Sequence, residues 1–144
     1  MIYLEETLKS NLQHLSRLRP YQYERLLTLD EVTRRSLELT RTLREGNREG
    51  SLLWAIDRTV TTMGARLLQE WLINPLADRD GLEARLDAVG ELLSEQRLRQ
   101  ELRERLDRGF DLQRLTARVS TGRASPRDLG AVARTLRLLP GVKA

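Results

Sequence analysis

The chain of 144 residues predicts an all-α fold: an irregular multi-helix bundle with at most one short extended segment, near residues 26–29. Three observations carry that prediction. Leucines recur at spacings of three and four along most of the chain, which is the period of one helical face. Aromatic residues make up only 4% of the sequence, against 40% hydrophobic and 32% charged, a balance that favours helices over sheets. The few glycines and prolines mostly fall between the periodic segments and punctuate them.

The elements follow in order. Residues 2–15 set Leu4, Leu8, Leu12 and Leu15 on one stripe, an amphipathic helix that Pro20 brings to an end. Tyr21, Gln22 and Tyr23 begin an irregular stretch, and Leu26 to Leu29 is short, apolar and open to an extended conformation. Asp30 is placed to cap a helix carrying Val32, Leu39 and Leu43. Glu45 to Gly50 is a polar hexamer with two glycines and an asparagine, hence a loop.

Ser51 then caps a short helix with Leu52, Leu53 and Ile56. Thr61 or Thr62 opens the next, in which Gly64, Leu67, Leu68, Trp71 and Leu72 share one face. Gly64 costs that helix about 1 kcal/mol relative to alanine, so a close helix contact is expected there. Pro75 stops the helix, because its ring disfavours helical geometry at Asn74. Asp78 is placed to cap a helix bearing Leu82, Leu86, Val89 and Leu93. A break near Ser94 leads to Leu98, Leu102 and Leu106, with Gly109 as a C-terminal cap. Asp111 precedes Leu112, Leu115 and Val119, and Gly122 closes that helix. Ser125, Pro126 and Asp128 spell a strong helix start, followed by Leu129, Val132, Leu136 and Leu139 before Pro140 and Gly141. The total is seven or so helices on short connections, with no fixed-period repeat and no linker between two domains.

Composition excludes most chemistry. With no cysteine there is no disulfide, thiolate or cysteine metal site. His14 is the single histidine, sits beside a leucine stripe and has no marked nucleophile, so a structural or surface role is expected. No apolar run is long enough to span a membrane, and the acids Glu5 and Glu6 near the start do not suit a signal peptide. A cytoplasmic location is the expectation. Lys9 and Lys143 are the only lysines and neither lies in a phosphate-binding loop, which needs glycines, a lysine and a hydroxyl at fixed spacing. The pairs Glu5–Glu6 and Asp78–Asp80 lack the converging oxygens of a hard-cation site. No catalytic, cofactor-binding or metal site is therefore assigned: the chain itself is expected to be no enzyme and to need no cofactor.

The formal charge of +4 and the pI near 10.1 raise the question of polyphosphate. Twenty-five bases against 21 acids describe a mixed, solvated helix surface more than a single-sign footprint. Arg79, Arg85, Arg97, Arg99 and Arg103 each fit an exposed position beside an acid. Trp54 and Trp71 are candidates for base stacking, but leucine neighbours favour burial in a core. On that reading Arg66, Leu67, Trp71 and Pro75 form the architectural centre, and Trp71→Ala costs about 3–5 kcal/mol.

Several phrases, in order, resemble a known family. They are Leu29 to Leu39, in which an acid precedes T-R-R-S-L-E-L; Gly50 to Leu53; Ile56 to Thr59; and Thr61 to Leu68 with Trp71-Leu72 and Pro75-Leu76. Arg85 to Val89, Asp111 to Leu115 and Pro126 to Leu129 continue the series. Together they resemble the core, or lever, domain of the MutS family of DNA mismatch repair proteins, over essentially the whole chain. The resemblance implies that residues 1–20 lead in from a connector region and that residues 21–144 form the first half of the core. It implies a longer parent that binds mismatched duplex DNA as a homodimeric clamp and hydrolyses ATP with magnesium, outside this segment. The mismatch-reading F-x-E motif has no counterpart, since Phe110 is followed by Asp111 and Leu112. No catalytic or DNA-contact residue is carried over.

The expected role is a structural relay that couples the DNA-binding and ATPase parts of the parent, with the other domains of that chain as its partners. An arginine-rich helical nucleic-acid-binding module and a free-standing helical adaptor are the alternatives. As a piece of a longer polypeptide, the segment is expected to expose apolar helix faces and to self-associate.

Overall fold

A computed structural model describes residues 26–143. Seven helices run in order among them: α1 Glu31–Ser36, α2 Leu52–Ile56, α3 Thr62–Ile73, α4 Arg79–Ser94, α5 Gln96–Asp107, α6 Leu112–Ser120 and α7 Pro126–Lys143. The helix expected over residues 2–15 lies outside the described residues, as do Glu5, Glu6, Lys9 and His14. The described residues contain no strand. The extended segment reduces to one antiparallel bridge between Leu26 and Leu76, where the Leu27 N–H donates to the Pro75 carbonyl at 2.8 Å.

Local chemistry sets most boundaries. Asp30, Ser51, Thr61 and Asp111 each sit at an N-cap and accept a hydrogen bond from an amide in the first turn, answering donors that a helix start leaves without partners. Ser125 and Asp128 form a reciprocal pair before α7. The serine hydroxyl accepts from the Asp128 N–H at 3.2 Å, and the Asp128 carboxylate accepts from the Ser125 N–H at 2.9 Å. At the other end of α6, Gly122 has φ +68°. Its N–H reaches the Val119 carbonyl and that of Arg123 reaches Arg118, the paired C-terminal closure that a left-handed residue makes possible.

Four boundary expectations need correction. The helix after Asp30 stops at Ser36, so Leu39 and Leu43 lie beyond it. Glu38 takes φ +47° and makes the same closure as Gly122, with Glu38 N–H to Arg35 and Leu39 N–H to Arg34. A glutamate in the place usually given to glycine hides this stop from the sequence. Its carboxylate fills the resulting turn by accepting from the Leu43 N–H at 2.6 Å. Asp78 occupies the N-cap of α4 but makes no side-chain capping bond. Gly109 follows α5, yet it is absent from the residues with positive φ; a side chain there would meet the Leu106 carbonyl at 3.1 Å. Finally, α7 runs through Pro140 to Lys143.

The core is small. Leu39, Leu53 and Ala131 are the buried apolar side chains among the described residues, with Ser51 and Thr135 buried beside them. Leu39 and Leu53 come together because the amides at the start of α2 bond back to the turn after α1: Leu52 N–H to Glu38 and Leu53 N–H to Leu39. Packing then links α2 to α3, α4 to α5, α5 to α7 and α6 to α7.

The leucine stripes of α4 and α7 mostly face outward. Leu82, Leu86, Val89 and Leu93 are all exposed, the second and fourth at 68% and 67%. On α4 the less exposed positions are Gly81, Arg85 and Leu92; on α7 the inward row is Ala131, Thr135 and Leu138. Both rows fall one residue short of the leucine stripes.

Candidate functional site

The most highly connected polar group on the described surface is a single carboxylate. Asp111 lies between α5 and α6 and caps α6 by accepting from the Arg114 N–H at 3.2 Å. Forty-five residues earlier on α3, Arg66 donates to both of its oxygens, each at 2.8 Å. The Thr62 hydroxyl adds a third side-chain bond at 3.0 Å, and Arg66 also reaches the Gln113 side chain at 2.9 Å. Two-point guanidinium–carboxylate pairing fixes orientation as well as distance. The negative charge also lies at the positive end of the α6 dipole. These contacts hold the Asp111 carboxyl well below the usual carboxylate range. The Arg66 bonds dominate, partial burial opposes them, and Arg114 and Thr62 reinforce them. Arg66 is raised in turn, chiefly by its bond to Asp111.

Three further ties follow, one local and two between segments distant in sequence. Asp57, after α2, accepts from the amide and hydroxyl of Thr59 and pairs with Arg48. Its carboxyl is lowered first by Thr59 and then by Arg48. Arg103 on α5 donates to the Arg58 carbonyl at 2.8 Å. The buried Thr135 hydroxyl accepts from the Phe110 N–H at 3.1 Å and donates to the Ala131 carbonyl at 3.0 Å. It fastens the α5–α6 connection to α7.

The residues singled out from the sequence separate under this geometry. Arg66 stands at the main junction. Pro75 is half-buried and its carbonyl serves the Leu26–Leu76 bridge, but Leu67 and Trp71 are 46% and 41% exposed. The expected packing centre around Trp71 is therefore replaced by the Leu39–Leu53 cluster. Trp54, at 52% exposed, is also outside a core. The two indoles sit on leucine-bearing helices whose faces are open, so periodicity alone did not locate the buried side.

The five arginines are engaged, though not all with acids. Arg79 pairs with Glu83 and Arg97 with Glu101 one turn on. Arg85 instead lies over the Trp71 ring, 3.6 Å from its centre. Arg99 donates to the Leu92 carbonyl at 3.0 Å, answering an acceptor left open by the end of α4. Arg103 makes the Arg58 tie. Among the described residues no group of three or more His, Asp or Glu side chains converges as a metal site. The carbons beside Gly64 belong to Thr59, and the Thr61 hydroxyl accepts from its amide at 2.9 Å. The close approach expected there is to the preceding loop, not to another helix. No described helix is long and apolar enough to cross a membrane.

Sequence reading missed Asp111 as an anchor between helices. It read the residue correctly as a helix start, but a partner 45 positions away leaves no local trace.

Helices stitched by charged and polar ties, with a small core and outward apolar stripes, define a class: an all-α multi-helix segment. The comparisons give that class a family. The model of MutS domain III matches residues 32–144. The DNA mismatch repair protein MutS of Symbiobacterium thermophilum is 50% identical over 143 residues, covering 99% of this chain and 16% of the relative. Its counterparts in Trichormus variabilis and Rhodopirellula baltica are 49% identical over 138 and 144 residues, covering 96% and 100% of this chain and 16% of each relative. The chain belongs to the MutS family of DNA mismatch repair proteins and corresponds to its domain III. It spans about one sixth of the length of these relatives, at 16% of each.

Proposed function

We propose that this segment is a mechanical relay within a longer mismatch repair protein. Residues 1–20 lead in from the connector, and residues 21–144 supply the first half of the core. The parent binds mismatched duplex DNA as a homodimer in the cytoplasm and hydrolyses ATP with magnesium at sites outside this segment. The relay passes rigid-body movement between those parts and performs no step of the chemistry itself.

The observation that carries this reading is the Arg66–Asp111 junction. A two-point ion pair that also caps a helix makes α3 and α6 move together, and packed or latched elements respond by discrete shifts instead of gradual bending. The engagement of Arg79, Arg85, Arg97, Arg99 and Arg103 weighs against the alternative of a nucleic-acid module built on those five, because side chains committed to carbonyls, carboxylates and a ring are less free to meet phosphates.

Titration of the chain with matched and mismatched duplexes at two salt concentrations, together with an ATP turnover assay, tests the division of labour. The expected result is no turnover and no preference for the mismatch. Tight binding with a steep salt slope, or discrimination between the two duplexes, would favour the nucleic-acid module.

A further inference from the structure

The charge balance of the whole chain conceals a local excess. From Arg108 to Ala144, through α6 and α7, there are eight bases and two acids; the 107 residues before them hold 17 bases and 19 acids. Both of those two acids are already engaged. Asp111 is held by Arg66 and Thr62, and Asp128 accepts from Arg118 at 3.1 Å and from Ser125 at 2.9 Å. Two open grooves of about 560 and 610 Å³ run along α6 and share Ala117 and Arg118, so they form one surface. Arg114 lines one end beside Phe110, and Arg123 lines the other beside Thr121. Arg134 of α7 joins the first end by lying over the Phe110 ring, 5.1 Å from its centre. Arg114, Arg123 and Arg134 are exposed and form no ion pair among the described residues. Unpaired arginines occur elsewhere, but among acids: residues 26–78, which include Arg35 and Arg44, hold seven bases and eight acids. The scarcity of acids is what sets the α6–α7 surface apart.

We infer that this surface is a contact for the phosphate backbone of duplex nucleic acid, made through Arg114, Arg123 and Arg134 without reading bases. The inference rests on the proposal above that the parent binds duplex DNA. A single-sign surface attracts a continuous polyanion, and each phosphate it neutralises releases counterions. Guanidinium groups present paired donors that match phosphate oxygens. The arginines also form a row: α6 sets Arg114 and Arg118 one turn apart, about 6 Å along its axis, and Arg123 follows beyond the helix end. A row of that kind suits charge repeating at short intervals, as phosphates do about every 3.4 Å of axis along each strand. Three contacts are fewer than the roughly six to ten of a strongly salt-dependent binder. The contact is therefore weak and auxiliary, and the relay role stands beside it.

The test uses the whole chain and a short fluorescein-labelled duplex, read by anisotropy at about 25 mM and about 150 mM salt. With three phosphates neutralised, log affinity should fall against log salt with a slope of about −3, a loss of roughly a hundredfold between the two conditions. Arg114→Gln with Arg123→Gln is expected to lose about tenfold or more at the lower salt and to bring the slope to about −1. Arg35→Gln with Arg44→Gln removes the same charge elsewhere and should change affinity by no more than about threefold, because charges outside the contact act only through a screened field. Unchanged affinity in the folded Arg114–Arg123 variant, or an equal loss in the Arg35–Arg44 control, overturns the proposal. Polyglutamate competing as strongly as unlabelled duplex, with the same arginine dependence, overturns it in favour of an acidic protein. Arg123 lies in the loop between α6 and α7, so Arg123→Gln alone keeps the test decisive if circular dichroism shows the double variant unfolded. A loss of about threefold is expected there, and none would overturn the proposal. Failure of the relay reading shows itself separately, as ATP turnover or a preference for a mismatched duplex.

Discussion

Asp111 shows how much one side chain can do when its bonds run in several directions. Its folded-state carboxyl is held well below its ordinary value, mainly by Arg66. A depressed carboxylate contributes stability that is present above the unfolded value near pH 4 and is lost as pH falls toward the folded one. Thermal stability of the chain should therefore decline on acidification below about pH 4, and Asp111→Asn should flatten that decline. Scanning calorimetry between neutral pH and pH 3 checks it; a variant with the unchanged acid slope would remove Asp111 from the explanation. Asp57 and Asp128 are shifted in the same direction, by Thr59 and Ser125 foremost, so a residual slope is expected.

Burial separates two other residues that look alike in the sequence. Leu53 is 2% exposed, and Leu53→Ala should cost about 2–5 kcal/mol in urea denaturation. Trp71, with its ring under Arg85, is 41% exposed. Trp71→Ala should cost less than about 2 kcal/mol, since an exposed cation–π contact is worth about 0.5–1 kcal/mol. If the tryptophan variant proved the more damaging, the placement of the core at Leu39–Leu53 would be wrong.

At the scale of the element, starts were more legible than stops. Asp30, Ser51, Thr61, Asp111 and Ser125 announce themselves because a short polar side chain before an apolar run has one common use. Gly122 was equally readable. Glu38 was not, because nothing in its chemistry marks a left-handed residue, and the apolar spacing of Val32, Leu39 and Leu43 runs on across it. The stripes of α4 and α7 were found correctly as stripes, but their direction was not, because periodicity locates a face without naming what covers it. We propose that those outward faces favour self-association. Leu86→Glu with Leu93→Glu should leave unfolding free energy within about 0.5 kcal/mol while reducing light scattering and binding of an apolar dye. A large stability loss in that double variant would mean the α4 stripe is packed after all.

At the scale of the whole molecule, the all-α class was legible across the described residues, and the family across essentially the whole chain. Ordered phrases such as Thr61 to Leu68 and Pro126 to Leu129 depend on identity and sequence order. The long-range ties were illegible, because Arg66–Asp111, Arg103–Arg58 and Phe110–Thr135 join positions whose separation follows from the packing alone. Those ties connect helices that bury few side chains between them. Arginines supply much of that stitching: Arg48, Arg66 and Arg118 pair with acids nine or more residues away.

The relay is tested most directly in the full-length parent protein by measuring how far mismatched DNA stimulates ATP turnover when the junction is cut. Arg66→Gln and Asp111→Asn are each expected to leave unstimulated turnover and DNA affinity within about twofold, a margin of roughly 0.4 kcal/mol, while most of the stimulation is lost. Full stimulation in folded variants whose Arg66–Asp111 pair is gone would contradict a relay through this junction.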